Sequence, residues 1–135
     1  MSPYNIAGGL FKDTASSQQT AFTRAIDMVN DDRTILTRSL VTEATATFPS
    51  DDSFKASKKL CDLLQLSPGL AGIFGPESSI TATHVQSVSH ALHIPFMETR
   101  GDYGLTKGGF HINVHPHPMV LGKAFADFVK EVNGG

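Results

Sequence analysis

The chain has 135 residues, 40% hydrophobic and 18% charged, with a formal net charge of −2. That length suits one domain, and that composition is globular rather than disordered. There is no basic excess or polybasic run, which argues against nucleic acid and anionic membrane surfaces as partners; no apolar run approaches the ~18 residues of a membrane span.

In chain order, Met1 to Phe11 lacks a basic stretch followed by an apolar one, so no signal peptide is expected and the chain as written would stay in the cytosol. Ile6 to Phe11 reads as a short buried strand, with Gly8 and Gly9 allowing close backbone approach. From Ser16 to Asn30, Ala21, Phe22, Ala25, Ile26 and Val29 recur at helical spacing and predict one inward face. Thr34 to Phe48, rich in Thr, Val, Leu and Ile, reads as a second strand region. Asp52 or Ser53 then caps a helix to about Gln65 that is expected to bury Phe54, Leu60, Cys61 and Leu64, ended by Ser67-Pro-Gly69. Leu70 to Phe74 is a short strand broken by Gly75-Pro76. Ser78 or Ser79 caps the next helix, with Ile80, Val85, Val88 and Leu92 expected inward. Ile94 to Met97 is a strand, Thr99 to Gly109 a glycine-rich loop, and Phe110 to Val114 a fifth strand. The last helix, from about Pro118 to Val132, repeats Val120, Leu121, Ala124, Phe125, Phe128, Val129 and Val132 at helical spacing. Five strands alternating with four helices predict an α/β fold: an open parallel sheet with helices on both faces.

Such a sheet invites a nucleotide reading, yet the first strand-to-helix turn has no Gly-x-Gly-x-x-Gly and no Gly-x-x-x-x-Gly-Lys-Ser/Thr occurs. Ser78, Ser79 and Thr81 lie just past the carboxyl end of a strand, where hydroxyls and helix N–H groups can hold a carboxylate; simple helix capping accounts for them as well. No Gly-x-Ser-x-Gly elbow surrounds them, which argues against a hydrolase. His111, His115 and His117 cluster, but no carboxylate or cysteine completes a metal set, so loop solvation is expected for them and no metal or cofactor is assigned. Lys55, Lys58 and Lys59 read as a solvated helix face, with Phe54 either in the core or an exposed anchor for a partner. Cys61 is the only cysteine. It is either a small buried hydrophobe or half of a disulfide whose partner lies elsewhere.

The ordered set Asp52 to Asp62, Leu70 to Pro76, Val85 to Val88, Ile94 to Phe96 and Glu98 to Arg100 resembles the amino-terminal domain of ionotropic glutamate receptors, most closely the kainate type. The similarity extends from Ile6 to the helix ending Phe128-Val129. The resemblance implies the first lobe of a type I periplasmic-binding-protein-like clamshell, over residues 4–132 with a tail at 133–135. It implies a partial unit, because the chain stops at Gly135 before such a domain would be complete. It also implies a non-enzymatic role in assembly with other glutamate receptor subunits, as homo- or heterodimers, with Phe54, Lys58, Ile80 and His84 in the interface. Cys61 would pair with a cysteine outside the chain, and the parent receptor would sit on the extracellular, postsynaptic side of the plasma membrane. The rival expectations are an amino-acid-binding module using Ser78, Ser79 and Thr81, a free-standing flavodoxin-like cytosolic domain, and a truncated product without a role of its own.

Overall fold

The computed structural model describes residues 5–13, 16–49, 51–67, 69–100 and 109–134. Strands β1 (Ile6–Lys12), β2 (Thr42–Phe48), β3 (Leu70–Phe74), β4 (Phe96–Glu98) and β5 (His111–Asn113) alternate with helices α1 (Ser16–Asp31), α2 (Ser53–Leu64), α3 (Ser79–Ala91) and α4 (Pro118–Asn133). The sheet is parallel in the order β2-β1-β3-β4-β5. The order reverses direction after β2, so right-handed crossovers put α1 on one face and α2 and α3 together on the other.

Alternation along β1 serves both faces. Ile6 and Leu10 join Ala56, Leu60 and Leu63 of α2 and Ala82 and Val85 of α3 in the core. Phe11 points the other way, with its ring 5.5 Å from that of Phe22 on α1, which lies 5.3 Å from Phe74. Gly9 makes room for this aromatic group, since a Cβ there would come within 2.6 Å of the Phe11 ring. In β3 the register against β1 shifts, pairing Ile6 with Leu70 but Ala7 with Gly72. The extra residue lets Leu70 and Ile73, three apart, bury against the same core. Gly75 has φ +79, and a Cβ would lie 2.3 Å from the Leu10 carbonyl oxygen, so only glycine fits this turn.

Several expectations are corrected. The second strand starts at Thr42 rather than Thr34. The Asn30 side chain brackets Val41, accepting from its N–H and donating to its carbonyl, both at 2.8 Å, where a neighbouring strand would pair. Asp32 holds the preceding turn through Thr34 N–H at 2.8 Å and Thr34 Oγ1 at 2.6 Å. On α1, Phe22, Ile26 and Val29 are half-buried but Ala21 and Ala25 are exposed, a narrower stripe than predicted. On α2 the buried row is Ala56, Leu60 and Leu63, while Phe54 and Cys61 are exposed and Leu64 is half-buried. On α3 the buried row is Thr81, Ala82, Val85, Gln86 and Ser89; Val88 is half-buried, and Ile80 and Leu92 are exposed. Small residues suit the face where α3 lies against α2. The hydroxyls of Thr81 and Ser89 donate to the Ser78 and Gln86 carbonyls and so carry no polar penalty. The apolar stripe of α4 is exposed along its length, with no residue buried. Most of the expected loop from Thr99 to Gly109 lies outside the described residues.

Candidate functional site: the outer face of α2 and α3

The first turns of the two helices are tied together. Asp52 caps α2, its Oδ1 accepting from Lys55 N–H at 2.9 Å. Ser78 is the N-cap residue of α3 but makes no side-chain cap bond; its hydroxyl donates to the carboxylate of Asp51 instead. Phe54 and Ile80 each occupy the second position of their helix, and Lys58 and His84 follow one turn later. At helical spacing these residues lie opposite the buried rows. Phe54 is 78% exposed and Ile80 55%. Lys58 and His84 are exposed, and so is Cys61, two turns from Phe54 on the same row. All four expected interface residues are therefore exposed, on the outward sides of two helices that pack against each other. The buried-hydrophobe reading of Cys61 does not hold.

The expected ligand residues are split. Thr81 is completely buried, with its hydroxyl 3.1 Å from the Ser78 carbonyl oxygen. Ser78 is half-buried and engaged by Asp51, and Ser79 is exposed. The Asp51 carboxylate thus sits beside the helix N-terminus to which an anionic ligand would come.

One polar cluster was missed by the sequence reading. At the carboxyl end of β4, the fully buried Glu98 accepts at Oε2 from Arg100 Nε at 2.9 Å and Nη2 at 2.7 Å. Its Oε1 lies 2.8 Å from His111 Nε2. The side chains of Arg100 and His111 are 11% and 5% exposed, and the His111 ring stacks on Phe96 at 5.4 Å. His111 is therefore a strand residue in a buried network, not a solvated loop histidine. Glu98 and Arg100 also line a cavity of about 250 Å³ with Phe11, Phe22, Phe74 and Gly75. Period-two reading of β4 holds the signal, since it places Glu98 on the face of Phe96. Among the described residues, no group of three or more His, Cys, Asp or Glu is placed to hold a metal ion.

The family model for the receptor family ligand binding region matches residues 17–133. The chain belongs to that family. Its architecture is accordingly periplasmic-binding-protein-like, in agreement with the parallel sheet. The chain is 32% identical over 132 residues to the human glutamate receptor ionotropic, kainate 1, covering 93% of this chain and 14% of that protein. It is 31% identical over 132 residues to the rat and mouse proteins of the same name, covering 93% of this chain and 14% and 16% of theirs. The chain thus spans about one-seventh of the length of these curated relatives. The kainate-type resemblance read from the sequence holds.

Proposed function

We propose that this chain is part of the ectodomain of an ionotropic glutamate receptor subunit and serves subunit assembly. It pairs with another receptor subunit, identical or not, through the outward faces of α2 and α3. The observation that carries this reading is Phe54, a large aromatic 78% exposed on α2, with a second apolar residue, Ile80, 55% exposed on α3, the helix packed against α2. Holding such a side chain in water forgoes roughly 1.5–3 kcal/mol of burial free energy, which a partner would recover. Aromatic anchors of this kind dominate interface energetics. Lys58 and His84 form the polar rim around it.

No catalysis and no cofactor is part of this reading. The parent receptor is placed on the extracellular, postsynaptic side of the plasma membrane, with channel activity belonging to other parts of the subunit. Among the described residues, no helix is long and apolar enough to cross a membrane. Exposure of Cys61 supports its pairing with a cysteine outside this chain.

Sedimentation equilibrium of the full chain tests the reading. Phe54→Asp is expected to abolish a concentration-dependent dimer at roughly 10–100 µM; unchanged association would overturn it. The amino-acid-binding reading has the exposed hydroxyl of Ser79 at a helix N-terminus in its favour. Titration calorimetry with a panel of amino acids tests it, and a flat trace removes it.

A further inference from the structure

We infer that two copies of this chain exchange their last helix, α4 of each lying across β4 and β5 of the other. The exchange uses the face of the sheet opposite α2 and α3 and does not rest on the assembly reading.

Two apolar surfaces of this chain stand uncovered. The first is α4, where Leu121, Phe125, Phe128 and Val132 form one stripe and no residue is buried. Its other side carries Lys123, Asp127, Lys130 and Glu131, so the helix is built to lay one face on a partner and keep the other in water. The second surface is the α1 side of the sheet. Phe74, Met97 and Ile112 stand in register across β3, β4 and β5 on that side, with Phe74 against Phe22 of α1. Helix α1 packs on β1 and β2, and on this side Ile112 is left 50% exposed and the next residue of its row, Val114, 64%.

Parallel sheets are stable with both faces covered. A helix is about 10 Å across and neighbouring strands are about 4.8 Å apart, so one helix covers two strands. With α1 over β1 and β2, the bare strip over β4 and β5 has the width of a single helix, and α4 has the stripe to fill it.

The link between β5 and α4 decides which copy supplies that helix. It consists of Val114, His115, Pro116 and His117. To lie on its own sheet, the chain would have to reverse direction within these four residues. Pro116 and Pro118 disfavour such a turn, because each holds the residue before it extended. His117 accordingly has φ −64 and ψ 143. Both ends of the link are fastened as well. Asn113 Oδ1 accepts from His115 N–H at 2.9 Å, and His117 Nδ1 accepts from Met119 N–H at 3.1 Å. The helix therefore leaves its own sheet. A short link held straight favours exchange, in which a second copy supplies the identical element and the two-fold pair closes.

Sedimentation velocity of the full chain reads the pair, with reductant present so that Cys61 forms no cross-link. An exchanged pair separates only when both helices leave together, so it should persist through about a hundredfold dilution. Association through Phe54 varies with concentration, and Phe54→Asp should leave the exchanged pair intact. Phe125→Asp should cut the paired fraction at least about tenfold; α4 adds nothing to its own chain's core, so that core should survive the change. Ile112→Thr, on the receiving strand, should weaken the pair from the other side. Pro116→Gly should convert pairs to single chains whose α4 amides stay protected from hydrogen exchange, because the freed link lets the helix fold back. A single-chain mass for the unmodified protein overturns the inference, and so does a pair indifferent to both Phe125→Asp and Ile112→Thr. Loss of every paired form on Phe54→Asp overturns the exchange and leaves the α2 and α3 reading standing. A persistent pair with no concentration-dependent step that Phe54→Asp removes overturns that reading and leaves the exchange.

Discussion

Replacing Glu98 by alanine tests whether the buried network at the end of β4 holds β5 in the sheet. The Glu98 side chain has no exposed surface and binds Arg100 at 2.7 and 2.9 Å and His111 at 2.8 Å. No buried side-chain nitrogen or oxygen among the described residues lacks a partner. Alanine removes the carboxylate that the guanidinium and the imidazole share. Breaking a buried charged pair from one side costs about 3–5 kcal/mol. Against a total stability of roughly 5–15 kcal/mol, this is a large fraction. With a urea dependence of about 1–3 kcal/mol per molar, the midpoint should fall by about 2 M. Far-UV circular dichroism during urea titration reads this directly. Glu98→Gln keeps an oxygen acceptor without the charge and should lose less, about 1–3 kcal/mol. Alanine at both Glu98 and His111 should be non-additive by about 1 kcal/mol or more. A loss below about 1 kcal/mol for Glu98→Ala, the scale of an exposed pair, would refute the argument.

Leu60 is 1% exposed between the sheet and α3, so Leu60→Ala should cost about 2–5 kcal/mol in the same titration. Gly75→Ala should destabilise by about 1–3 kcal/mol, because φ is +79 and the new Cβ meets the Leu10 carbonyl; a neutral result would mean that the turn differs. The Asp32 carboxyl titrates below its ordinary value of 3.8, chiefly through the hydrogen bond from the Thr34 hydroxyl and then through that from the Thr34 N–H. Its folded value is depressed, so its contribution to the turn is present above pH 3.8 and is lost as pH falls through the folded value. Amide exchange at Thr34 should rise across that acidic window, and Asp32→Asn should remove the dependence.

The sequence by itself determined the order of elements. The runs Ile6 to Phe11 and Leu70 to Phe74 are short and apolar enough to be strands, and Asp52 caps the start of a helix that ends at Leu64, close to the expected Gln65. Alternation of strands and helices was enough for a parallel sheet, and the ordered motifs were enough for the family. Exposure of Phe54 and Ile80 was not legible in the pattern, since apolar periodicity pointed Ile80 inward and left Phe54 between core and surface.

Only the tertiary structure decided which way those helices face. Apolar spacing on α2 admits a row through Phe54 and Cys61 or one through Ala56, Leu60 and Leu63. Packing against α3 and β2 selects the second, where Ala56, Leu60 and Leu63 share one core with Ala82, Val85 and Phe48. On α3 the buried row includes Thr81, Gln86 and Ser89, polar types whose burial depends on hydrogen bonds that a linear pattern does not display. The second strand was shortened by Asn30, whose amide takes the place of a strand partner at Val41. Glu98 and His111 stand thirteen residues apart on different strands and meet only when β4 pairs with β5. A buried charge is stable only beside its partner, and that partner is chosen by sheet register rather than by sequence distance.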